Sequence, residues 1–327
     1  MGRRKEKFIT KLKNWVFTFI LVGIMLFWVQ GYTNASGLKF VQISDDHFLK
    51  DSPNTTFKMT AESPKLLDDA IDQVNFTPNV NFVMFTGDLI DKPFEKELHA
   101  ILPHLKNLNV PWYFTFGNHD ICVGGYLTKS MYLSILRENN PNFTFEKPYY
   151  SFVPKKGYKV IVLDSIIDTE VTANGYIYPE QLKWLDEELK NSQKDIVLIF
   201  MHVPVIEPFP SPNHKMRNAG EVQAIIEKYK NPIGVFTGHY HAAKIIQNNN
   251  VLYVSTPSLV SYPNAFRVIN IENRRNKVIF NIEFKETRLK NVQKLAKLMV
   301  FASSIYSGEE KDQNGVFVIK KQRGVNE

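Results

Sequence analysis

From Leu38 onward, short, mainly apolar runs alternate with longer stretches in which apolar residues recur every third or fourth position. The first pattern is that of a strand buried on both faces, the second that of a helix with one apolar stripe. Strands are therefore expected at Leu38–Ile43, Phe82–Phe85, Trp112–Phe116, Tyr158–Leu163, Ile196–Met201 and Ile233–Thr237. Helices are expected between them, near Pro64–Val74, Phe94–Asn107, Pro179–Asn191 and Gly220–Lys230, with Pro64 and Pro179 in first turns, where a missing N–H breaks no helical bond. The alternation implies an α/β fold whose strands end in functional loops. Val251–Ser255, Ala265–Ile271 and Lys277–Phe284 follow without intervening helices, so the second half adds an antiparallel portion. With no internal repeat or linker, residues 38–285 read as one domain.

The two ends depart from this pattern. Trp15–Val29 is one apolar run, preceded by a basic segment and followed by the polar stretch Gln30–Gly37, in which Thr33 and Ala35 form a small-x-small site. That order is the order of a secretory signal, and at roughly 22 Å as a helix the run falls short of a ~30 Å hydrocarbon core. Phe27, Trp28 and Tyr32 can extend it through an aromatic belt, so residues 1–37 are expected to be either a cleaved signal peptide or an uncleaved membrane anchor through residues 15–29. Either way the body is exported, because the positive charge precedes the run and stays inside. An extracytoplasmic location with a single free cysteine suits a bacterial protein, while sequons at Asn54, Asn75 and Asn142 leave a eukaryotic secretory route open. At the other end, within residues 286–327, Leu289, Val292, Leu295, Leu298 and Met299 share one face of a basic amphipathic helix expected over Leu289–Ile305. Such a helix can lie on a membrane surface. Here it is expected to pack on the body, followed by a solvated tail and a last strand at Val316–Ile319.

Composition narrows the chemistry. In 327 residues, 44% hydrophobic and 13% aromatic content supply a sizeable core and exclude a disordered chain. The one cysteine, Cys122, excludes an intrachain disulfide and any thiolate-held zinc or iron–sulfur centre, so a metal must be held by His, Asp, Glu and Asn. The formal charge of +7 comes mostly from Arg3, Arg4, Lys5, Lys7, Lys11 and Lys13, opposed by Glu6 alone within residues 1–13. The body is nearly neutral and lacks the basic stripe that nucleic-acid polymer binding needs.

Five polar motifs each follow one of the expected strands: Asp45-Asp46-His47, Gly87-Asp88-Leu89-Ile90-Asp91, Gly117-Asn118-His119-Asp120, His202 before Val203-Pro204, and Gly238-His239-Tyr240-His241. Side chains two apart on an extended segment share a face, so Asp45 and His47 can grip one ion while Asp46 points away, and His239 with His241 makes a second pincer. Each piece alone is common at strand ends. Together they gather five of the eight histidines into one recurring placement, which points to a metal centre.

In type and order these motifs resemble the calcineurin-like metallophosphoesterases, over about residues 38–285. The resemblance implies a four-layer sandwich of two mixed β-sheets flanked by α-helices, with two divalent metals at the strand ends. One metal would be held by Asp45, His47, Asp88 and His241, the other by Asp88, Asn118, His202 and His239, with Asp88 bridging. Imidazole and carboxylate ligands suit Mn, Fe or Zn. Between two cations a water loses its proton readily and attacks phosphorus in line, while the metals hold the other phosphoryl oxygens. His119 is then the candidate general acid for the leaving oxygen, oriented by Asp91 or by its rival Asp120.

Where the protein serine/threonine phosphatase branch has Arg and Glu, this chain has Lys92 and Asp120, and the pattern looks more like the bacterial phosphodiesterases. The expected reaction is hydrolysis of a small phosphodiester, cyclic-nucleotide or glycerophosphodiester-like. The alternatives are a phosphomonoesterase of nucleotidase or acid phosphatase type, a lipid-headgroup phosphoester hydrolase, and last a non-catalytic scaffold. Selectivity is expected from the insertions Ile121–Pro148, with Cys122, Tyr126 and Tyr132, and Val205–Ala219, where His214 and Arg217 are candidate substrate contacts. Cys122 is expected to be inert packing, and His99 and His104 surface residues of a helix.

Overall fold

The computed structural model describes residues 37–121, 127–231 and 233–321. The signal or anchor expected in residues 1–36, with Cys122 and Tyr126, lies outside them. Among the described residues the strands are β1 (Leu38–Ile43), β2 (Phe82–Phe85), β3 (Trp112–Phe114), β4 (Tyr150–Lys155), β5 (Tyr158–Val162), β6 (Ile196–Phe200), β7 (Ile233–Thr237), β8 (Lys244–Asn248), β9 (Val251–Ser255), β10 (Ala265–Asn273), β11 (Lys277–Glu286) and β12 (Gly315–Lys320). They form two six-stranded mixed sheets, ordered β12-β11-β10-β1-β2-β3 and β4-β5-β6-β7-β9-β8.

In the first sheet β1, β2 and β3 run parallel and β10, β11 and β12 antiparallel; in the second β5, β6, β7 and β9 run parallel between antiparallel edges. The sheets meet through aromatic rings. Phe40 stacks on Phe82 and stands edge-on to Phe200 and Phe236 of the second sheet, with centroids 5.4 and 5.0 Å away. The helices Ser63–Phe76, Glu95–Leu105, Pro179–Asn191 and Ala219–Glu227 stand where the apolar periodicity places them. Each buries its apolar positions, such as Leu66, Leu67, Ala70, Ile71 and Val74 of the first.

Four elements differ from the sequence reading. Strands β4 and β8 have no apolar run to announce them, because both are sheet edges with mixed burial along their length. The stretch expected as an insertion before Pro148 contains the helix Lys129–Asn139, capped by Thr128 Oγ1 and held by buried Tyr132, Leu133, Ile135 and Leu136. The single helix expected over Leu289–Ile305 is two, Lys290–Met299 and Ser303–Ser307, separated at Ala302, whose φ of 57° lies in the left-handed region. Leu289 and Val292 pack on the core, whereas Leu298 is 83% exposed and Phe301 96%.

The C-terminal segment is tied to the body along its length. Strand β12 pairs with β11, the buried Arg267 guanidinium donates to the carbonyls of Asp312 and Gln313 at 2.6 and 3.0 Å, and the Ala243 amide donates to Tyr306 O at 2.9 Å. Among the described residues no helix is long and apolar enough to cross a membrane.

Candidate metal centre

Parallel strands all end on one side, so the loops after β1, β2, β3, β6 and β7 converge at one edge of the two sheets. They bring Asp45 and His47, Asp88, Asn118 and His119, His202, and His239 and His241 together. The turns are tight. Asp45, His47, Asp88, His239 and His241 have φ between 41° and 72°, a left-handed conformation that Asp and His tolerate better than branched residues and that collects at functional sites. Backbone bonds stitch the first motif to the second, Asp45 N to Gly87 O at 3.1 Å and His47 N to Asp88 O at 2.8 Å. A Cβ at Gly117 would overlap the Asp88 amide and carboxylate, so only glycine lets the loop after β3 lie against that ligand.

The side chains form two groups that share one oxygen. Asp45, His47, Asp88 and His241 offer ligand atoms all within 4.8 Å of one another, with His47 Nε2 and His241 Nε2 3.1 Å apart. In the second group His202 Nε2 faces His239 Nδ1 at 3.1 Å. Asp88 Oδ2 lies 3.5 Å from His47 Nε2 and 3.4 Å from His202 Nε2, between the two groups.

The donor set fits two cations. Asn118 Oδ1 and His239 Nε2 are buried without a hydrogen-bond partner, and imidazole nitrogens face each other in pairs, an arrangement that a divalent ion between them relieves. Partners on the far side of the rings set the tautomers. His202 Nδ1 donates to Thr86 O at 2.8 Å and His47 Nδ1 to Asp91 Oδ1 at 3.1 Å, while His241 Nδ1 is hydrogen-bonded to Ser261 Oγ at 2.9 Å. Each ring thereby presents Nε2 inward.

Electrostatics separates the histidines. Burial, reinforced by the His119 ring, lowers His47 to about 3 and leaves it neutral. Burial also lowers His239 well below the usual range. His202 goes the other way: burial is overcome by the Asp88 and Asp45 carboxylates, which hold it up to about 9. Asp45 is held down to about 2, against its burial, by His241 and His202.

A pocket of about 400 Å³ opens over the two groups, and His119, 37% exposed, lies in its wall. The His119 amide donates to Asp88 Oδ1 at 2.8 Å and its Nδ1 to the Asp91 carbonyl at 2.9 Å. The Asp91 carboxylate is 3.7 Å from that nitrogen and spends its hydrogen bonds on His47 and Lys58. Asp120 does not meet His119. It is fully buried and accepts from the amides of Gly117 and Ile90 and from Tyr132 OH, closing the turn that carries Asn118. Asp46 points away, buried, with neither carboxylate oxygen hydrogen-bonded. His214 lines the pocket with its ring 5.3 Å from that of His239, whereas Arg217 pairs with Glu170 and does not line it. His104 pairs with Asp68 and His99 with Glu95, away from the centre. Sequence reasoning passed over Phe57 and Lys58, which line the pocket from an irregular loop with no periodicity to mark them.

Residues 38–243 match the sequence model of the calcineurin-like phosphoesterases. The chain belongs to that family. A probable cyclic nucleotide phosphodiesterase of Fibrobacter succinogenes is 28% identical over 231 residues, covering 68% of this chain and 79% of its own length. A rabbit (Oryctolagus cuniculus) tartrate-resistant acid phosphatase type 5 is 24% identical over 266 residues, covering 73% and 77%. In fold the chain is similar to a dimetal phosphatase from Danio rerio, with a TM-score of 0.62, 16% identity and coverage of 87% of this chain and 99% of that one. This calcineurin-like phosphoesterase is a hydrolase that uses two divalent metals, and its thiolate-free donors suit Mn, Fe or Zn.

Proposed function

We propose that the protein hydrolyses a small phosphodiester, cyclic-nucleotide or glycerophosphodiester-like, outside the cytoplasm. The observation that carries the diester reading is the charge of the pocket. Among its described lining residues the only Lys or Arg is Lys58, and Lys58 is committed to Asp91. A monoester dianion gains from a further free cation, whereas a singly charged diester is served by the metals alone. The name of the Fibrobacter relative agrees with this reading. Export rests on the basic segment before Trp15–Val29.

Asp45, His47, Asp88 and His241 would hold one metal, and Asp88, Asn118, His202 and His239 the other. Bound there, the metals supply an activated water and the positive charge that steadies the phosphoryl oxygens. His119, whose Nδ1 donates to the Asp91 carbonyl, acts with both ring nitrogens protonated: it gives its Nε2 proton to the leaving oxygen and is left as the neutral Nδ1–H imidazole. Asp91 holds His47 in place from behind with its carboxylate.

The full chain, purified in mild detergent and loaded with Mn²⁺, should turn over bis-p-nitrophenyl phosphate in preference to p-nitrophenyl phosphate. Monoester preference would make it a phosphomonoesterase of nucleotidase or acid phosphatase type, and silence on both with two metals bound would make it a scaffold. One observation favours a second reading, a lipid-headgroup hydrolase: exposed Leu298 and Phe301 neighbour the segment that brings Tyr306 to the pocket. Faster turnover of vesicle-borne than of soluble diesters would select it.

A further inference from the structure

Away from the metal ligands the pocket wall is aromatic. Phe57 lies flat against His241, ring centroids 5.1 Å apart and planes 25° apart. Tyr306 stands edge-on to Phe57 at 5.3 Å and to Phe209 at 6.1 Å, and Phe209 in turn stands edge-on to Tyr240 at 5.1 Å. These rings come from three distant parts of the chain: the loop after β1, the loop after β6, and the short helix Ser303–Ser307. Tyr306 lies outside residues 38–243, which the family model matches, yet its carbonyl is bound to Ala243, two residues beyond His241. The C-terminal segment thus supplies a wall of the pocket.

We propose that Phe57, Phe209 and Tyr306 form a subsite for a nucleobase, so that the ester cleaved at the metal centre is a nucleotide. The proposal rests on the reading of the protein as a hydrolase of small phosphoesters and narrows its substrate class. Rings inclined steeply to one another, at 61° between Phe57 and Tyr306 and 87° between Tyr306 and Phe209, offer a face for stacking and edges on its flanks, which suits a flat, uncharged heterocycle. A polyol such as glycerol leaves those faces unused. A quaternary ammonium also binds aromatic faces, but the only carboxylate among the described residues lining the pocket, Asp88, belongs to the metal ligands. A pocket of about 400 Å³ lies in the range that holds a small ligand.

The test compares wild type, Tyr306→Ala and Tyr306→Phe in the Mn²⁺-loaded full chain, on 3′,5′-cyclic adenosine monophosphate and on glycerophosphoethanolamine. Tyr306→Ala should lower the ratio of kcat/KM, nucleotide over base-less diester, by about tenfold and mainly through KM, and should weaken binding of free adenosine by a similar factor. Tyr306→Phe should keep the ratio within about twofold, since the ring does the stacking. Equal loss on both substrates, or no loss on either, would overturn the proposal, and so would a preference for glycerophosphocholine that Tyr306→Ala abolishes. If wild type cleaves only monoesters, the diester reading fails separately, and the same variants on adenosine monophosphate and glycerol 3-phosphate decide the base subsite.

Discussion

Asp91 Oδ1 stands 3.1 Å from Nδ1 of His47, behind the imidazole whose Nε2 faces Asp88 and His241. A carboxylate there fixes the ring's tautomer and raises its basicity as a ligand. Asp91→Asn should therefore lower metal affinity about ten- to a hundredfold while leaving the fold intact, read by metal titration and by metal content after dialysis. Lys58 bonds the same carboxylate, so Asp91→Ala, which strands that ammonium beside His47, should cost more than Asp91→Asn. Unchanged affinity with slow turnover would move the role of Asp91 to His119.

His119 makes a sharper kinetic prediction. Only a poor leaving group needs its proton, so His119→Asn should slow release of an alkoxide about 10²- to 10⁴-fold and release of p-nitrophenolate far less. The measurement is kcat on an alkyl diester against bis-p-nitrophenyl phosphate at full metal occupancy. Equal losses on both would assign His119 to positioning.

The metal motifs were legible because each is local: polar residues close behind an apolar run, with glycine or proline beside four of the five. Strands β1, β2, β7 and β9 stand where their apolar runs place them, since strands buried along nearly their whole length are mostly apolar. Strands β4 and β8 were not legible, because Ser151, Pro154 and Lys155 break up the one and Lys244, Gln247 and Asn248 flank only two apolar residues in the other, whereas β12, also a sheet edge, keeps the apolar run Val316–Ile319. The choice between Asp91 and Asp120 as orienter of His119 was open for a different reason. The bond to His119 comes from the Asp91 backbone carbonyl, and residue type says nothing about a main-chain oxygen. Nor does it show that Tyr306, from the far end of the chain, meets Phe57.

Gly117 tests whether the ligand loops pack as tightly as they stand. A methyl group there falls on the amide and carboxylate of Asp88, which are backbone and ligand and have nowhere to go. Gly117→Ala should displace Asp88, the one residue common to both groups, and metal content should fall toward zero. Thermal melting of the metal-stripped variant should drop by about 1–3 kcal/mol in stability, the usual cost of overpacking. A variant that binds two metals with wild-type affinity would show that the loop after β3 can move aside.

The two groups of ligands should differ in how they take up metal as pH changes, and His202 is the reason. In the metal-stripped protein the Asp88 and Asp45 carboxylates, overcoming burial, hold its imidazole up to about 9, from an ordinary 6.5. A raised folded-state value means that protonation of His202 stabilises the fold fully below pH 6.5, and that this contribution is lost as pH climbs through about 9. A metal needs the lone pair that the proton occupies, so loading at neutral pH must expel it. Affinity of the His202 group should rise about tenfold per pH unit from 6.5 and level off near 9, with about one proton released per chain at pH 7.5. His47, held neutral at about 3 by its burial, adds no such dependence to the other group. Calorimetric titration with Zn²⁺ in buffers of different ionisation enthalpy measures the proton directly. Melting of the stripped protein should fall between pH 6.5 and 9, and His202→Asn should flatten both curves. Proton release that persists in His202→Asn would remove His202 as the source and as the residue that separates the two groups.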